Sequence, residues 1–398
     1  MSISILFVID SLHCAGAEKS LTTLLNLLDY SNYEVDLQLL GYGGDLEKLL
    51  PNKVNLLEPL PYTNFSNLGI KTAILRSVFK LDITKLHSRI LYSYKIRKAN
   101  YTVAQKARIF WECASKSIKR SKKKYDIAIS YAQGVPTFYV ADKIKANKKY
   151  AWVNVSYRLQ DEEHKFQKKY YDCFNNIVAV SESTKEIFIE NYPEYENKMK
   201  VILDINDYKI INNMSTTGER YKDDFEGLRI LTIGRLAYQK GYDIAVEACR
   251  KLKENKVDFR WYVLGKGYQE QEIKKWIKEM KIEDNFKLIG VKSNPYPFID
   301  DCDIYVQTSK FEGFGIAIAE ARMLNKPVVT TRFDAVFTQM LHEKNGLVVD
   351  MNGQAVCDGI LRLINDKELT NSITEYLENE KKGNTEEIEK FYELIETT

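Results

Sequence analysis

One short element, at residues 304–324, limits the folds that are open to this chain. Ile304 to Gln307 is a brief apolar run of strand length, and Ile316 to Leu324 is apolar and rich in good helix formers. Gly313-Phe314-Gly315 lies between them. The pattern predicts a buried strand that enters a helix through a glycine turn, which is typical of layered α/β folds with parallel sheets.

The same turn is suited to binding a phosphate. Glycines let the backbone approach a ligand closely, and the first turn of a helix presents unpaired N–H groups at the positive end of its dipole. We therefore expect Gly313 to Ile316 to lie against an anion. Glu312 precedes the turn and Glu320 lies about one turn inside the helix, so the two carboxylates can flank a ligand. They would accept hydrogen bonds from hydroxyl groups, which a nucleotide sugar offers on both its ribose and its hexose.

A second strand-to-helix loop supplies positive charge. Leu228 to Ile233 is predicted as a buried strand, and an amphipathic helix is predicted from Asp243 to about Lys253. The loop between them carries Gly234, Arg235 and Lys240. At the carboxyl edge of a parallel sheet, an arginine and a lysine can neutralise a diphosphate from two sides. We expect Arg235 and Lys240 to bind a diphosphate and to support catalysis by stabilising its charge.

Together these elements resemble the retaining nucleotide-sugar glycosyltransferases of family 4. The shared motifs stand in the family's order and spacing: Gly234-Arg235-Leu236 with Lys240-Gly241, the Gly265-Lys266-Gly267 turn, and the glutamates Glu312 and Glu320. The resemblance is close from residue 228 to about residue 363 and holds only in outline for the first half. It implies the GT-B fold, an α/β architecture in which two Rossmann-like domains face a central cleft and the C-terminal helix crosses back to the first domain.

The resemblance also implies roles for individual residues of the second half. Glu320 is expected to hold the ribose hydroxyls. Glu312 is expected to contact the transferring hexose or to stabilise charge. The nucleobase is expected near Gly265 and Val291, where contacts in this family come largely from backbone atoms.

In the first half, the resemblance bears on Gly16 and Asn154. Gly16 occupies a position in the family's Gly-Gly-Ala-Glu element and is expected near the donor phosphate, although Ala15 replaces the first glycine. Many family members carry a histidine after a first-domain strand near the acceptor, and this chain has Asn154 there. An amide cannot take a proton, but in such enzymes the leaving diphosphate is often proposed to do so. We assign His13 and Asn154 to the acceptor region.

Composition limits the class of protein. A chain of 398 residues with 44% hydrophobic and 28% charged residues can bury a large core, and its length predicts two or three domains. No apolar stretch approaches the roughly 18 residues that span a membrane, and Ile3 to Ile9 lacks the flanks of a signal peptide. The six cysteines have no paired metal spacing, which indicates free thiols in a reducing compartment. We expect a cytoplasmic protein.

Alternating strand-like and helix-like segments predict two α/β halves. Residues 1–210 form the predicted N-terminal acceptor domain, with a basic helical insertion at about 66–124. The polar residues 211–227 are the predicted linker, residues 228–375 the donor domain, and residues 376–398 the returning helix. Strands are predicted at 3–9, 35–40, 54–57, 126–130, 150–155, 177–180, 201–203, 229–233, 259–264, 286–289, 304–307, 327–331 and 347–349.

Asp301-Cys302-Asp303 has the spacing with which a different class, the GT-A glycosyltransferases, holds a divalent ion. Here it stands between a predicted helix from about Pro295 and the strand Ile304 to Gln307. Arg235 and Lys240 already supply charge for a diphosphate, which makes a metal redundant. We expect a structural role for the two aspartates, and neither a metal nor another cofactor.

The net charge of +3 hides a strong local asymmetry. Between residues 71 and 124 there are 16 Lys or Arg against two acids, a balance of +14. Phe79, Ile83, Leu86 and Ile90 fall on one face of a predicted amphipathic helix. We favour attachment to anionic lipid, at roughly 1 kcal/mol per Lys or Arg that reaches the surface, over a plain solvated surface. Nucleic acid is not an expected partner, because no nucleic-acid motif accompanies the charge.

The sequence thus predicts a retaining hexosyltransferase that works at the inner face of the plasma membrane. Its donor would be a nucleotide-diphosphate sugar, with UDP favoured. Its acceptor would be a saccharide or polyprenyl-linked saccharide for bacterial surface polysaccharide, such as capsule or lipopolysaccharide. Two alternatives stay open: another GT-B enzyme, such as a sugar-nucleotide 2-epimerase or a phosphorylase, and an inactive saccharide-binding subunit, suggested by Ala15 and Asn154.

Overall fold

The computed structural model describes residues 2–13, 15–66, 68, 71–72, 75, 83–99, 101–155 and 159–396. These residues divide into two compact units. The first unit contains residues 2–13, 17–203 and 388–396. The second contains residues 204–387, together with residues 15 and 16.

The first unit is built on one parallel sheet. Its strands are β1 (Ile3–Ile9), β2 (Tyr33–Leu39), β3 (Val54–Leu56), β4 (Lys124–Ser130), β5 (Lys145–Val153), β6 (Asn176–Ala179) and β7 (Met199–Val201). They pair in the order β3-β2-β1-β4-β5-β6-β7. The apolar runs Ile5 to Ile9 and Tyr150 to Val153 are buried, as expected for strands covered on both faces.

Helices surround this sheet. They are α1 (Gly16–Leu27), α2 (Pro61–Ser66), α3 (Ile83–Lys95), α4 (Val103–Ala114), α5 (Val135–Lys143), α6 (Asp161–Tyr171) and α7 (Glu182–Asn191), with 3-10 turns at Asp45–Leu49, Ser115–Ser117 and Pro193–Lys198. Thr102 caps α4, since its hydroxyl accepts from the Gln105 N–H at 3.2 Å. The side chains of Trp111, Phe138 and Tyr171 fill the core between helices and sheet.

Helices α3 and α4 lie in the predicted basic insertion and pack against each other. The buried residue of α3 is Ser88, whose hydroxyl lies 2.8 Å from that of Ser117. Ile83 and Ile90, predicted on one apolar face, are 67% and 52% exposed. Leu86 is half-buried, so the part of that face shown to point to solvent is Ile83 and Ile90; Phe79 lies outside the described residues.

The second unit has six parallel strands. They are β8 (Leu228–Ile233), β9 (Phe259–Leu264), β10 (Phe286–Leu288), β11 (Ile304–Gln307), β12 (Val328–Thr331) and β13 (Leu347–Val349), in the order β10-β9-β8-β11-β12-β13. Its helices are α8 (Tyr208–Ser215), α9 (Tyr242–Glu254), α10 (Glu270–Glu279), α11 (Tyr296–Asp300), α12 (Ile316–Met323), α13 (Gly353–Asn365) and α14 (Lys367–Asn379), with 3-10 turns at Tyr238–Lys240 and Val336–Thr338. The prediction of two parallel-sheet α/β domains is confirmed.

The last helix, α15 (Glu387–Glu396), packs on the first unit. The Phe391 ring is fully buried, with its centroid 6.0 Å from that of Phe7 and 6.2 Å from that of Trp152. The Tyr150 hydroxyl donates to the carbonyl of Leu394 at 3.1 Å. The apolar stripe of this helix is thus covered by the sheet of the first unit.

The structure divides the chain at other places than the sequence predicts. The first crossing falls between Leu203 and Asp204, whereas the predicted linker was 211–227. Part of that linker is the end of α8, which packs against α11 through buried Ile211. At the other end, α14 continues to Asn379, beyond the predicted limit of 375. Polar composition misplaced the linker because one apolar face is enough to dock a short helix.

In the described ranges, no helix has the length and apolar character needed to cross a bilayer. Five cysteines are described, all as free thiols. Cys173 is exposed and the other four are buried.

Candidate active site

The two predicted ligand loops meet at the centre of the second sheet. β8 and β11 are neighbours there, with β9 and β10 on one side and β12 and β13 on the other. The chain reverses its direction of strand addition between β8 and β11, and such a switch point leaves a crevice at the carboxyl ends of the strands. Gly234 to Lys240 follow β8, and Thr308 to Gly315 follow β11.

Two glycines are required by the backbone at this edge. Gly315 has φ +89°, the left-handed conformation that side chains disfavour, and it precedes the first residue of α12. A Cβ on Gly265 would lie 1.9 Å from the carbonyl oxygen of Gly234. The loops after β8 and β9 therefore touch where they cross, and a residue larger than glycine would not fit at position 265.

Lys240 forms an ion pair with Glu312. The Glu312 carboxylate also accepts from the Ser309 hydroxyl at 2.6 Å, the Gln307 amide at 3.1 Å and the Gln239 amide at 3.4 Å. Glu312 is only 7% exposed. Its negative charge is thus held in place by four donors, one of them a cation.

Arg235 differs from Lys240. It is exposed, and no carboxylate of the described residues pairs with it. The Lys240 stem instead packs over Gly234, with carbons 3.2 Å from where a Cβ would lie. The sequence predicted two equivalent cations, whereas the structure has one uncompensated cation and one already neutralised by Glu312.

Tyr305 orients the glutamine that supports Glu312. Its hydroxyl, inside the core, donates to Gln307 Oε1 at 2.7 Å. Burial raises the pKa of Tyr305 well above its usual value, so this phenol stays protonated and remains a donor. Gln307 Nε2 then faces Ser309 and Glu312.

Glu320 lies in α12 and is 1% exposed. Its Oε1 accepts from the Tyr296 hydroxyl at 2.9 Å. Tyr296 begins α11 and is itself buried. The sequence predicts that this carboxylate binds a ribose. For a ribose to reach it, the Tyr296 hydroxyl would have to share the carboxylate with the ligand or move aside.

The remaining predicted residues of this unit line the same edge. Gly313, Phe314 and Ile316 are buried around the turn. Gly265 N–H donates to the carbonyl of Gly290 at 2.9 Å, next to Val291, which is 51% exposed.

The residues predicted from the first half of the chain follow the carboxyl ends of first-unit strands. His13 is exposed in the loop after β1, and Gly16 is the first residue of α1. Asn154 follows β5, and both polar atoms of its amide are buried without a hydrogen-bond partner in the described part of the chain. An unsatisfied buried amide of this kind is a candidate for binding a polar group.

The two aspartates of the Asp-x-Asp sequence have structural partners. Asp301 pairs with Arg220, and Asp303 Oδ2 accepts from the Arg229 N–H at 2.7 Å. Burial raises the pKa of the Cys302 thiol between them to about 12. No group of metal-ligating side chains occurs among the residues that the structure describes.

Sequence reasoning missed several polar residues of the site: Gln239, Tyr296, Gln307, Ser309 and Gln339. A signal existed for two of them, because Gln307 and Ser309 end an apolar strand with a polar run. The other three come from separate elements. Only the fold brings them to the turn.

Comparison with known proteins agrees with this geometry. The family described as glycosyl transferases group 1 matches residues 220–380. An uncharacterized glycosyltransferase of Methanocaldococcus jannaschii is 23% identical over 76% of this chain and 75% of its own length. The Campylobacter jejuni N-acetylgalactosamine-N,N'-diacetylbacillosaminyl-diphospho-undecaprenol 4-alpha-N-acetylgalactosaminyltransferase is 26% identical over 48% of this chain and 52% of its own.

Other relatives are named for colanic acid, amylovoran and capsular polysaccharide biosynthesis. Among solved structures, Anabaena HepE in complex with UDP and glucose superposes with a TM-score of 0.69 at 17% identity, covering 100% of both chains. At this identity the likeness shows the fold. Residues 220–380 match the group 1 glycosyl transferase family, and the chain is a glycosyltransferase of GT-B fold with relatives named for bacterial polysaccharide biosynthesis.

Proposed function

We propose that this enzyme moves a hexose from a nucleotide-diphosphate sugar to a saccharide acceptor, with retention of the anomeric configuration. The observation that carries the proposal is the arrangement after β8 and β11. There, the Lys240–Glu312 pair and the amino terminus of α12 adjoin one glycine turn, and the exposed Arg235 lies in the same loop as Lys240. UDP is the favoured nucleotide, because HepE has a structure with UDP and glucose.

Each group has a proposed role. Arg235, Lys240 and the amides at Gly315 and Ile316 hold the diphosphate and stabilise its charge as the glycosidic bond breaks. The leaving diphosphate takes the proton of the acceptor hydroxyl, so no side-chain base is needed. Glu312 contacts the hexose, and Glu320 holds the ribose. No metal or other cofactor takes part, because these positive groups supply the charge that a metal would supply.

The proposed acceptor is a saccharide of a surface polysaccharide, carried on a polyprenyl diphosphate. The name of the Campylobacter relative specifies a diphospho-undecaprenol acceptor. His13 and Asn154 are the proposed acceptor-side residues, and the unpartnered amide of Asn154 suits a sugar hydroxyl.

Ligand-induced stabilisation tests the donor assignment. The thermal unfolding midpoint would be measured with UDP, GDP and ADP, each in excess chelator. A nucleotide at 100 times its dissociation constant adds roughly 2.7 kcal/mol of stability. We expect UDP to give the largest shift, and Arg235→Ala to reduce it. No shift with any of the three would contradict the proposal.

Turnover tests the reaction class. With UDP-sugars and a polyprenyl-linked saccharide extract, UDP release should require the acceptor, and the product anomer should match the donor anomer by NMR. Inversion, or conversion of the sugar nucleotide without an acceptor, would favour another GT-B reaction.

We also propose that the first unit binds an anionic membrane surface at the inner face of the plasma membrane. Ile83, Ile90 and Tyr94 are exposed along one face of α3, and Lys98 lies over the Tyr94 ring at 4.4 Å. Apolar side chains flanked by lysines suit the interface of a bilayer.

The lysines of residues 116–124 are not equally available to attract a membrane, although the sequence suggests that they are. Lys116, Lys119, Lys122 and Lys124 are exposed, whereas Lys123 Nζ is paired with Asp36 at 2.8 Å. Lys124 begins β4, so this group lies at the amino ends of the strands, away from the edge with His13 and Asn154. It can therefore supply attraction without touching the acceptor.

Vesicle flotation tests this proposal. Binding to phosphatidylglycerol vesicles should fall with salt, since charges beyond a Debye length of roughly 8 Å are screened at physiological ionic strength. Replacing the four exposed lysines by Gln should flatten the salt dependence, and replacing the three apolar residues by Ser should weaken binding at all salts. The matched control replaces four exposed lysines of the second unit by Gln: Lys256, Lys275, Lys278 and Lys344. Equal loss in the control, or no binding at low salt, would contradict a specific surface.

A further inference from the structure

Gln339 lies against the glycine turn, although no sequence motif points to it. It follows the 3-10 turn Val336–Thr338, after β12. Its side-chain Nε2 donates to the carbonyl of Phe314 at 2.6 Å and to the carbonyl of Gly315 at 3.1 Å. One amide thus contacts two consecutive carbonyls of the turn, and the second of them also accepts from N–H groups of α12.

The orientation of this amide is fixed by charge. Gln339 Oε1 accepts from Arg322 Nη1 at 3.4 Å, and Arg322 forms an ion pair with Glu380. Arg322 and Glu380 are 14% and 15% exposed, so solvent screens the pair little. Rotating the amide by half a turn would place its oxygen against two carbonyls and its N–H groups against a guanidinium. Only one orientation satisfies all partners.

The backbone of Gln339 is fixed as well. Asn345 is fully buried, and its Nδ2 donates to the Gln339 carbonyl at 3.0 Å. Its Oδ1 accepts from the Leu341 N–H at 2.8 Å. The loop that carries Gln339 is therefore pinned from the core side, independently of the turn.

These contacts decide where the amides of the turn point. In a trans peptide, the C=O and the N–H of the same unit point in opposite directions. The Phe314 carbonyl shares its peptide unit with the Gly315 N–H, and the Gly315 carbonyl shares one with the Ile316 N–H. The second unit is also held by the helix, because the Gly315 carbonyl accepts from the N–H groups of Ile318 at 2.9 Å and Ala319 at 3.4 Å. Gln339 therefore matters most for the first unit, where holding the Phe314 carbonyl directs the Gly315 N–H away from Gln339, at the start of α12.

We propose that Gln339 is a positioning residue, which orients the Gly315 amide, beside the Ile316 amide that the helix itself holds, to receive the donor diphosphate. It acts through the backbone and does not touch the ligand. The inference rests on the proposed function, since it needs a diphosphate at this turn. Loss of Gln339 would let the Phe314–Gly315 peptide unit rotate, and one ordered amide donor would be replaced by an ensemble.

Two variants test it. Gln339→Ala removes the donor. Gln339→Glu keeps the volume and can still pair with Arg322, but its carboxylate cannot donate to the carbonyls. The control is Gln354→Ala, which removes an exposed glutamine bonded to Asp358 at 2.8 Å on α13. Dissociation constants would be measured for UDP and for uridine, which has no phosphate.

We expect both Gln339 variants to bind UDP about tenfold more weakly, equivalent to ~1.4 kcal/mol, and uridine as the wild type does. The control should bind both ligands normally. Unchanged UDP binding in both variants, or equal weakening of UDP and uridine, would overturn the inference and leave the proposed function standing. A wild-type protein that bound no nucleoside diphosphate would overturn both.

Discussion

Glu312→Gln and Lys240→Ala should change nucleotide affinity in opposite directions. In the free enzyme the Glu312 carboxylate neutralises Lys240, so an incoming diphosphate meets a pair of low net charge. Glu312→Gln removes the negative charge and leaves Lys240 available. Lys240→Ala removes the cation and leaves a buried carboxylate beside the diphosphate.

The magnitude follows from Coulomb's law. A unit charge about 6 Å from a phosphate, at an effective dielectric constant of about 20, contributes about 2.8 kcal/mol. If ions and water screen half of this, Glu312→Gln should bind UDP about tenfold more tightly. Lys240→Ala loses a charge-assisted contact of roughly 1.5 to 3 kcal/mol, and the uncompensated carboxylate adds to that loss. The affinity of Lys240→Ala for UDP should therefore fall by about tenfold to 150-fold or more.

Calorimetric titration with UDP at low and at physiological salt measures both effects. Turnover should fall in both variants, because Glu312 contacts the hexose in the proposed function. The control is Glu279→Gln, which removes one partner of the exposed pair with Lys275 on α10, 3.7 Å apart. Weaker UDP binding by Glu312→Gln than by the wild type would refute the argument that Glu312 masks Lys240.

Three further predictions follow from the structure. Turnover should persist in excess chelator. If chelator stopped turnover, manganese restored it and Asp303→Ala abolished it, these results would identify a metal site. Tyr296→Phe removes the hydroxyl that donates to Glu320 Oε1 at 2.9 Å, and should lower the unfolding free energy by roughly 1.5 to 3 kcal/mol in urea titrations; an unchanged midpoint would show that the bond contributes nothing. Burial opposes ionisation of Asp36, but hydrogen bonds from Lys123 and two neutral groups outweigh it and lower its pKa. A depressed pKa stabilises the fold above the unfolded pKa of about 3.9, and this stability is lost as pH falls through the folded value. Lys123→Ala should therefore start acid unfolding at a higher pH, and an unshifted acid transition would contradict this.

Strand positions and parallel pairing could be predicted from the sequence. Runs such as Ile5 to Ile9 and Tyr150 to Val153 are apolar throughout, and only strands covered on both faces bury every side chain of such a run. The intervening helix-length segments then require crossover connections, which make neighbouring strands parallel. Domain limits were less predictable, because α8 is short and polar and docks through one face.

The two ligand loops were visible in the sequence because each is a local pattern of strand, glycine and helix. The contact between the two loops was not visible in the sequence. Lys240 and Glu312 are 72 residues apart and meet only because β8 and β11 are neighbours. The same holds for Tyr296 on Glu320 and for Gln339 on the glycine turn. Sequence determined which residues carry charge and where the backbone must turn. Tertiary structure decided which charges neutralise each other and which carbonyls are held, because those contacts depend on the order and register of distant strands.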